Sequence, residues 1–191
     1  MNLPNKLSIL RICMIPLFAV FFFVEEIPYN YLISAIIFVL AAATDFLDGY
    51  IARKYNLVTN LGKFLDPIAD KVLVSTALIL LLTTPWVLSE YYGIAVSIIL
   101  GRELIVSGFR TVAASRGLVL AADKVGKVKT VFQDAAIAVL LVSAENFFPH
   151  YSYCPINLAG QVLLIIATLL TIISGINYIV KNSVVLKEEV K

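Results

Sequence analysis

Charge is scarce in this chain. Of its 191 residues only 15% are Asp, Glu, Lys or Arg and 60% are apolar, whereas a soluble domain carries about a quarter charged residues. The balance excludes an ordinary soluble fold and predicts an all-α, polytopic membrane protein. Histidine is scarcer still: His150 is the single one. It falls in a predicted loop on the side away from the charged motif described below, so that motif has no imidazole to use. The two cysteines, Cys13 and Cys154, fall on opposite sides of the predicted bilayer, which argues against a disulfide and suggests no thiolate metal site. The net charge of +2 is too small to argue for a nucleic-acid partner. No internal repeat, low-complexity tract or long polar domain is visible. The apolar run 12–24 follows Lys6 and Arg11 as in a signal peptide. Glu25 and Glu26 then stand where a small-residue cleavage site would be, which predicts an uncleaved first span.

Apolar runs are what the chain has in abundance. With about 20 apolar residues needed for a crossing, six spans are predicted, at 7–24, 31–52, 65–84, 91–114, 125–144 and 158–180, with Pro28, Pro85, Pro149 and Pro155 marking breaks. Segments 25–30, 85–90 and 145–157 contain no Lys or Arg, so all 15 cations lie toward the other side. The positive-inside bias then predicts both termini, and the loop between the second and third spans, on the cytoplasmic face. Tyr29, Tyr31, Trp86, Tyr91, Tyr92, Phe147, Phe148, Tyr151 and Tyr153 fit an aromatic belt at the outer interface.

Against this background residues 45–70, DFLDGYIARKYNLVTNLGKFLDPIAD, concentrate four aspartates. A carboxylate near bilayer depth is costly enough to mark a functional site by default. On a helix turning about 100° per residue, Asp45, Asp48, Gly49 and Ala52 share one face, and Asp66 and Asp70, four apart, share another. The short connection can bring the two faces together. Carboxylates that close cannot all stay ionised without a cation among them, and all-oxygen ligands suit a hard divalent ion such as Mg²⁺ or Mn²⁺. Gly49 and Ala52 remove bulk beside the acids, so a phosphorylated ligand can approach the helix closely. Aspartate sites holding two metals typically clamp the attacking and leaving oxygens of a phosphoryl displacement. The competing reading is a salt-bridge network with Arg53, Lys54, Lys63 and Lys71; four acids at helix-matched spacing beside small residues favour a site.

The pattern D-x2-D-G-x2-A-R-x8-G-x3-D-x3-D, filled by Asp45, Asp48, Gly49, Ala52, Arg53, Gly62, Asp66 and Asp70, resembles the signature of the CDP-alcohol phosphotransferase family without departure. The resemblance implies a six-helix membrane enzyme, usually a homodimer, with two divalent metals, that displaces CMP from a CDP-alcohol by an acceptor hydroxyl. By the same resemblance Asp45, Asp48, Asp66 and Asp70 would ligate metal, Gly49, Ala52, Arg53 and Gly62 with Asp48 and Asp66 would line the CDP site, and Asp70 would also be the general base.

The family motif leaves the acceptor open. Arg102, Glu103, Arg110, Arg116, Lys124, Lys127 and Lys129 cluster toward the cytoplasmic ends of the fourth and fifth spans, and such cations suit a phosphorylated acceptor. Glu103 and Arg110 share a helix face; Lys127, Thr130 and Asp134 form a stripe in which Asp134 orients Lys127, while Glu103 positions an arginine. Arg116, Lys124 and Lys129 also read as anchors beside acidic headgroups. LPNKLSILR near the start, GRELIVSGFR at 101–110 and GKVKT at 126–130 resemble the bacterial branch of the family that uses glycerol 3-phosphate. That likeness implies CDP-diacylglycerol as donor, the bacterial plasma membrane as location, Asn5 and Arg11 at the nucleotide or phosphates, and Arg110, Lys127, Arg11 and Lys129 as acceptor-phosphate ligands. Asn5 and Ser8, with Pro4, equally read as an ordinary helix start. Inositol phosphate, serine or another phospholipid are the other acceptors of the family, and a cation-coupled transporter is the reading from a different class; the absence of an inverted repeat weighs against the last.

Overall fold

A computed structural model describes residues 3–54, 60–115, 124–145 and 155–182. They form six helices, α1 (Leu3–Phe23), α2 (Asn30–Lys54), α3 (Asn60–Leu82), α4 (Tyr92–Ser115), α5 (Lys124–Ala144) and α6 (Pro155–Lys181), and no strand among the described residues. The apolar runs and their Pro and Thr punctuation explain most of the boundaries. Thr83 and Thr84 turn their hydroxyls back onto the Leu80 and Leu81 carbonyls where α3 stops. Pro155 opens α6, a position where its missing N–H has no helical partner to lose. Between α1 and α2 the chain reverses through Tyr29, whose φ of 61° lies in the left-handed region seldom taken by a residue with a Cβ.

The aspartate motif is more helical than its charge suggests. α2 continues through Asp45–Lys54, and α3 begins at Asn60, so that Asp66 and Asp70 sit more than a turn inside the helix. Pro67 lies between them and removes one backbone hydrogen bond from that turn.

α1 packs chiefly on α2 and α3, and α5 on α6; α4 leans on α6, and α2 crosses to α5. The core runs through Phe18, Phe22, Phe38, Leu78, Ile137, Leu140 and Leu164. Lipid is as apolar as these side chains, so in a bilayer close packing holds such helices together more than removal from water does. Gly160 shows how tight the packing is: a Cβ there would stand 2.8 Å from the Leu140 side chain, so α6 reaches α5 only where the side chain is absent.

Among the described residues three helices are long and apolar enough to cross a membrane, α1 over Lys6–Phe23, α4 and α6, and α2 adds a shorter apolar helix, Asn30–Thr44. Their outer faces are greasy. Val20, Phe23, Ile94, Leu104, Ile105, Ile176 and Val180 are each more than half exposed, and so much exposed large apolar surface marks a membrane or protein interaction site rather than a water-facing wall. α3 and α5 carry Lys63, Asp66, Asp70, Lys71, Lys124, Lys127, Lys129 and Asp134 within their lengths, and the helices alternate in direction so that these charges gather at one end of the bundle.

Candidate functional site

At that end the start of α3, the second half of α4, the start of α5 and the end of α6 enclose a cavity of about 240 Å³. Drug-sized ligands occupy roughly 300–1,000 Å³, so this volume suits a smaller molecule. Asp70 and Lys71 face it from α3, Arg102, Glu103 and Arg110 from α4, Lys127 and Thr130 from α5, and Tyr178 from α6. Four cations stand against two carboxylates, a net of +2 on the wall.

Three of these cations donate to hydroxyls, and Lys127 is exposed. Lys71 donates to the Ser107 hydroxyl, and Ser107 in turn donates to the Glu103 carbonyl. Arg102 passes between α5 and α6 and donates to Ser174 at 3.1 Å; a Cβ on Gly175 would come within 3.1 Å of its Cγ, and one on Gly126 within 3.4 Å of its Nη2. Gly160 and Gly175 therefore serve packing within one chain. Arg110 donates through Nε to the Tyr178 hydroxyl at 3.1 Å, with its guanidinium carbon 5.4 Å from the Tyr178 ring centre, a cation–π contact. Tyr178 is buried and is braced edge-on by Phe109.

Glu103 is engaged differently. Its carboxylate takes a charge-assisted hydrogen bond from Lys129, which is 1% exposed, and lies 3.8 Å from the Arg102 guanidinium. Lys129 thus points at Glu103 and does not line the cavity, and the main partner of Glu103 is a lysine where the sequence suggested an arginine. Asp134 is not among the lining residues, although Lys127 and Thr130 of the same stripe are.

Arg11 is fully buried and donates through Nε to the Ala41 carbonyl at 3.2 Å, one turn before Asp45 on α2 and apart from the cavity lining. Ser8, also fully buried, donates to an Asp66 carboxylate oxygen. Since α1 starts at Leu3, Ser8 is well inside the helix and ties α1 to α3 in place of capping. Gly62 is buried in the first turn of α3. The backbones of Asn5, Asp45, Asp48, Gly49, Ala52 and Arg53 are helical, and their side chains lie outside the described residues, as do Arg116, His150 and Cys154 altogether. Cys13 is exposed and free.

Residues 1–173 match the family described as CDP-alcohol phosphatidyltransferase. The chain belongs to that family. It is 42% identical, over 97% of both chains, to a Bacillus subtilis protein named CDP-diacylglycerol–glycerol-3-phosphate 3-phosphatidyltransferase. A Rickettsia bellii protein of the same name is 42% identical over 93% of both chains, and one from Salmonella typhimurium 37% identical, again over 93% of each.

For this CDP-alcohol phosphatidyltransferase family member, the donor chemistry near α3 suits a hard divalent cation: Asp66 and Asp70, one turn apart, offer only oxygen. Among the described residues no group of three His, Cys, Asp or Glu is close enough to hold an ion, and the remaining two aspartates of the motif have side chains outside that set. In the sequence alone Lys71 enters only through the competing salt-bridge network and Arg102 only as one of the cations that suit a phosphorylated acceptor, and no motif marks Tyr178. A signal for the last existed: Thr168, Thr171, Ser174 and Tyr178 make a buried polar stripe along otherwise apolar α6.

Proposed function

We propose that the chain transfers the phosphatidyl group of CDP-diacylglycerol to sn-glycerol 3-phosphate, giving phosphatidylglycerophosphate and CMP. The observation that carries the choice of acceptor is the cavity wall of four hydroxyl-tethered or solvent-facing cations beside Asp70. A phosphate monoester carries about −1.5 to −2 at neutral pH, the complement of that wall, and an uncharged alcohol would have no use for it. Relatives of 37–42% identity carry the name of this reaction.

In this reading Arg110 and Lys127, with Lys71 and Arg102 near them, hold the acceptor phosphate, and Lys129 keeps Glu103 neutralised so that the cations stay available. Asp70 takes the proton from the reacting hydroxyl as its oxygen attacks the β-phosphorus in line. The new O–P bond forms as the bond to CMP breaks, and the electron pair leaves on the CMP phosphate. Asn5, Asp48, Gly49, Ala52, Arg53, Gly62 and Asp66 hold the cytidine diphosphate, with Arg11 bracing α2 next to Asp45. Asp45, Asp48, Asp66 and Asp70 would hold two divalent ions, Mg²⁺ or Mn²⁺, which when bound neutralise charge on the reacting phosphates.

The six helices are read as six spans of a bacterial plasma-membrane protein. α2, α3 and α5 cross with their charged ends projecting to the cytoplasmic side, as the 15 cations on that side favour. The lipid chains of the donor then pass between helices into the bilayer, and a homodimer is the assembly we expect. The test is an acceptor panel: purified protein with Mg²⁺ or Mn²⁺ releases CMP from CDP-diacylglycerol when glycerol 3-phosphate is supplied, and not with serine or with no acceptor. Equal release with inositol phosphate, or none with any acceptor, refutes the assignment.

A further inference from the structure

Next to the cavity lies a smaller recess of about 50 Å³. Asp70, Lys71, Glu103 and Thr130 border both, whereas Gln133 borders the recess alone. Gln133 is 2% exposed, and its Oε1 has no hydrogen-bond partner. A buried amide oxygen left unpaired is costly; of the donors that share the recess, Thr130 is engaged with the Gly126 carbonyl and Lys71 with Ser107, and Ser75 lines it as well. Asp70, Lys71, Ser75, Glu103 and Thr130 bring further polar side chains to the same recess.

The position follows from the helix. Gln133 stands six residues beyond Lys127, about 9 Å deeper along α5, and Asp70 lies at the border of the two spaces. An acceptor whose phosphate meets Arg110 and Lys127 at the mouth, and whose reacting hydroxyl meets Asp70, has its middle carbon beside the recess. Glycerol 3-phosphate carries a secondary hydroxyl on that carbon.

We infer that the Gln133 carboxamide is the group that reads this non-reacting hydroxyl and so selects a vicinal diol phosphate over a simple hydroxyalkyl phosphate. The inference rests on the acceptor reading above. A carboxamide offers both an acceptor oxygen and donor N–H groups, and a hydroxyl satisfies either. A site built around such a bond rejects the analogue lacking the hydroxyl, because the buried amide is then left unmatched.

The probe is 3-hydroxypropyl phosphate, which keeps the phosphate and the primary hydroxyl and lacks the middle one. With intact protein and CDP-diacylglycerol, kcat/KM for glycerol 3-phosphate is expected to exceed that for the probe by roughly 10- to 100-fold, the range one unmatched buried polar group commands. Gln133→Met, similar in volume and without the amide, is expected to bring this ratio to within about threefold of unity and to leave the KM for CDP-diacylglycerol unchanged. Should Met prevent assembly, Gln133→Asn draws the amide back by one methylene and is expected to lower the ratio in the same way. A merely structural Gln133 would lower activity with both acceptors alike and keep the ratio, and that result overturns the inference. Wild-type protein that uses both acceptors equally overturns it too and leaves the acceptor reading standing; wild-type protein inert with glycerol 3-phosphate overturns both.

Discussion

The two ends of the bundle are built from different chemistry. At the cavity end, α1, α3, α4, α5 and α6 are joined by charged side chains: Ser8 to Asp66, Lys71 to Ser107, Lys129 to Glu103, Arg102 to Ser174 and Arg110 to Tyr178. At the other end the ties are nearly all neutral and end on backbone. Asn30 donates to the Phe22 carbonyl, Trp86 to that of Ala144, Asn157 to that of Trp86, and Gln161 to that of Val87 while accepting from the Tyr92 hydroxyl. Tyr31 packs edge-on against both Phe22 and Trp86. One carboxylate takes part in these ties: Glu145 accepts from the Leu32 N–H in the first turn of α2, where a helix dipole favours negative charge. Among the described residues the neutral end has no buried side-chain polar atom without a partner. The charged end ties Lys129 to Glu103 but holds Lys71, Arg102 and Arg110 through hydroxyls, leaving four cations against two carboxylates on the cavity wall.

The comparison breaks most sharply at Asp70. Asp70→Asn keeps shape and removes basicity, so turnover should fall by about 10²- to 10⁴-fold while CDP-lipid binding persists; near-normal turnover would remove Asp70 from that role. Next comes Lys129→Met, which removes the main partner of the half-buried Glu103 carboxylate and leaves it Arg102 at 3.8 Å. Losing a hydrogen bond to a charged group costs about 1.5–3 kcal/mol, so the thermal midpoint of the detergent-solubilised protein should drop. A raised glycerol 3-phosphate KM with unchanged stability would instead make Lys129 an acceptor ligand. Gln161→Leu probes the opposite end: losing its bonds to Val87 and Tyr92 should cost about 1–2 kcal/mol of stability, with both KM values unmoved in the protein that remains folded. The smallest effect belongs to Tyr178→Phe. The ring stays under Arg110 and only the hydroxyl acceptor goes, so the glycerol 3-phosphate KM should rise about threefold and the CDP-lipid KM should not.

How far the sequence could be read depends on whether a feature is local. Six helices follow from apolar runs of helical length, and their ends from Pro28, Pro85 and Pro155. The aspartate motif is legible because Asp45 to Asp70 are contiguous and their i, i+3 and i+4 spacings survive folding unchanged. The cavity is different. Lys71, Arg102 and Tyr178 are 31 and 76 positions apart along the chain, and only the packing of α3, α4 and α6 tells which cation meets which hydroxyl. Lys127 and Lys129 look equivalent in GKVKT; a turn of about 200° between them sends one to the cavity and buries the other on Glu103. Ser8 reads as a cap because Pro4 precedes it, and it becomes a tie to Asp66 only because α1 starts earlier than the apolar run does.

The central claim is that the aspartate motif and the cation wall serve two different substrates. Steady-state kinetics of Arg110→Ala, with each substrate varied in turn, tests it most directly. Loss of a charge-assisted phosphate contact should raise the glycerol 3-phosphate KM by roughly 10- to 100-fold and leave the CDP-diacylglycerol KM within about twofold of wild type. A rise confined to CDP-diacylglycerol, or an equal rise in both, would contradict the division of the site.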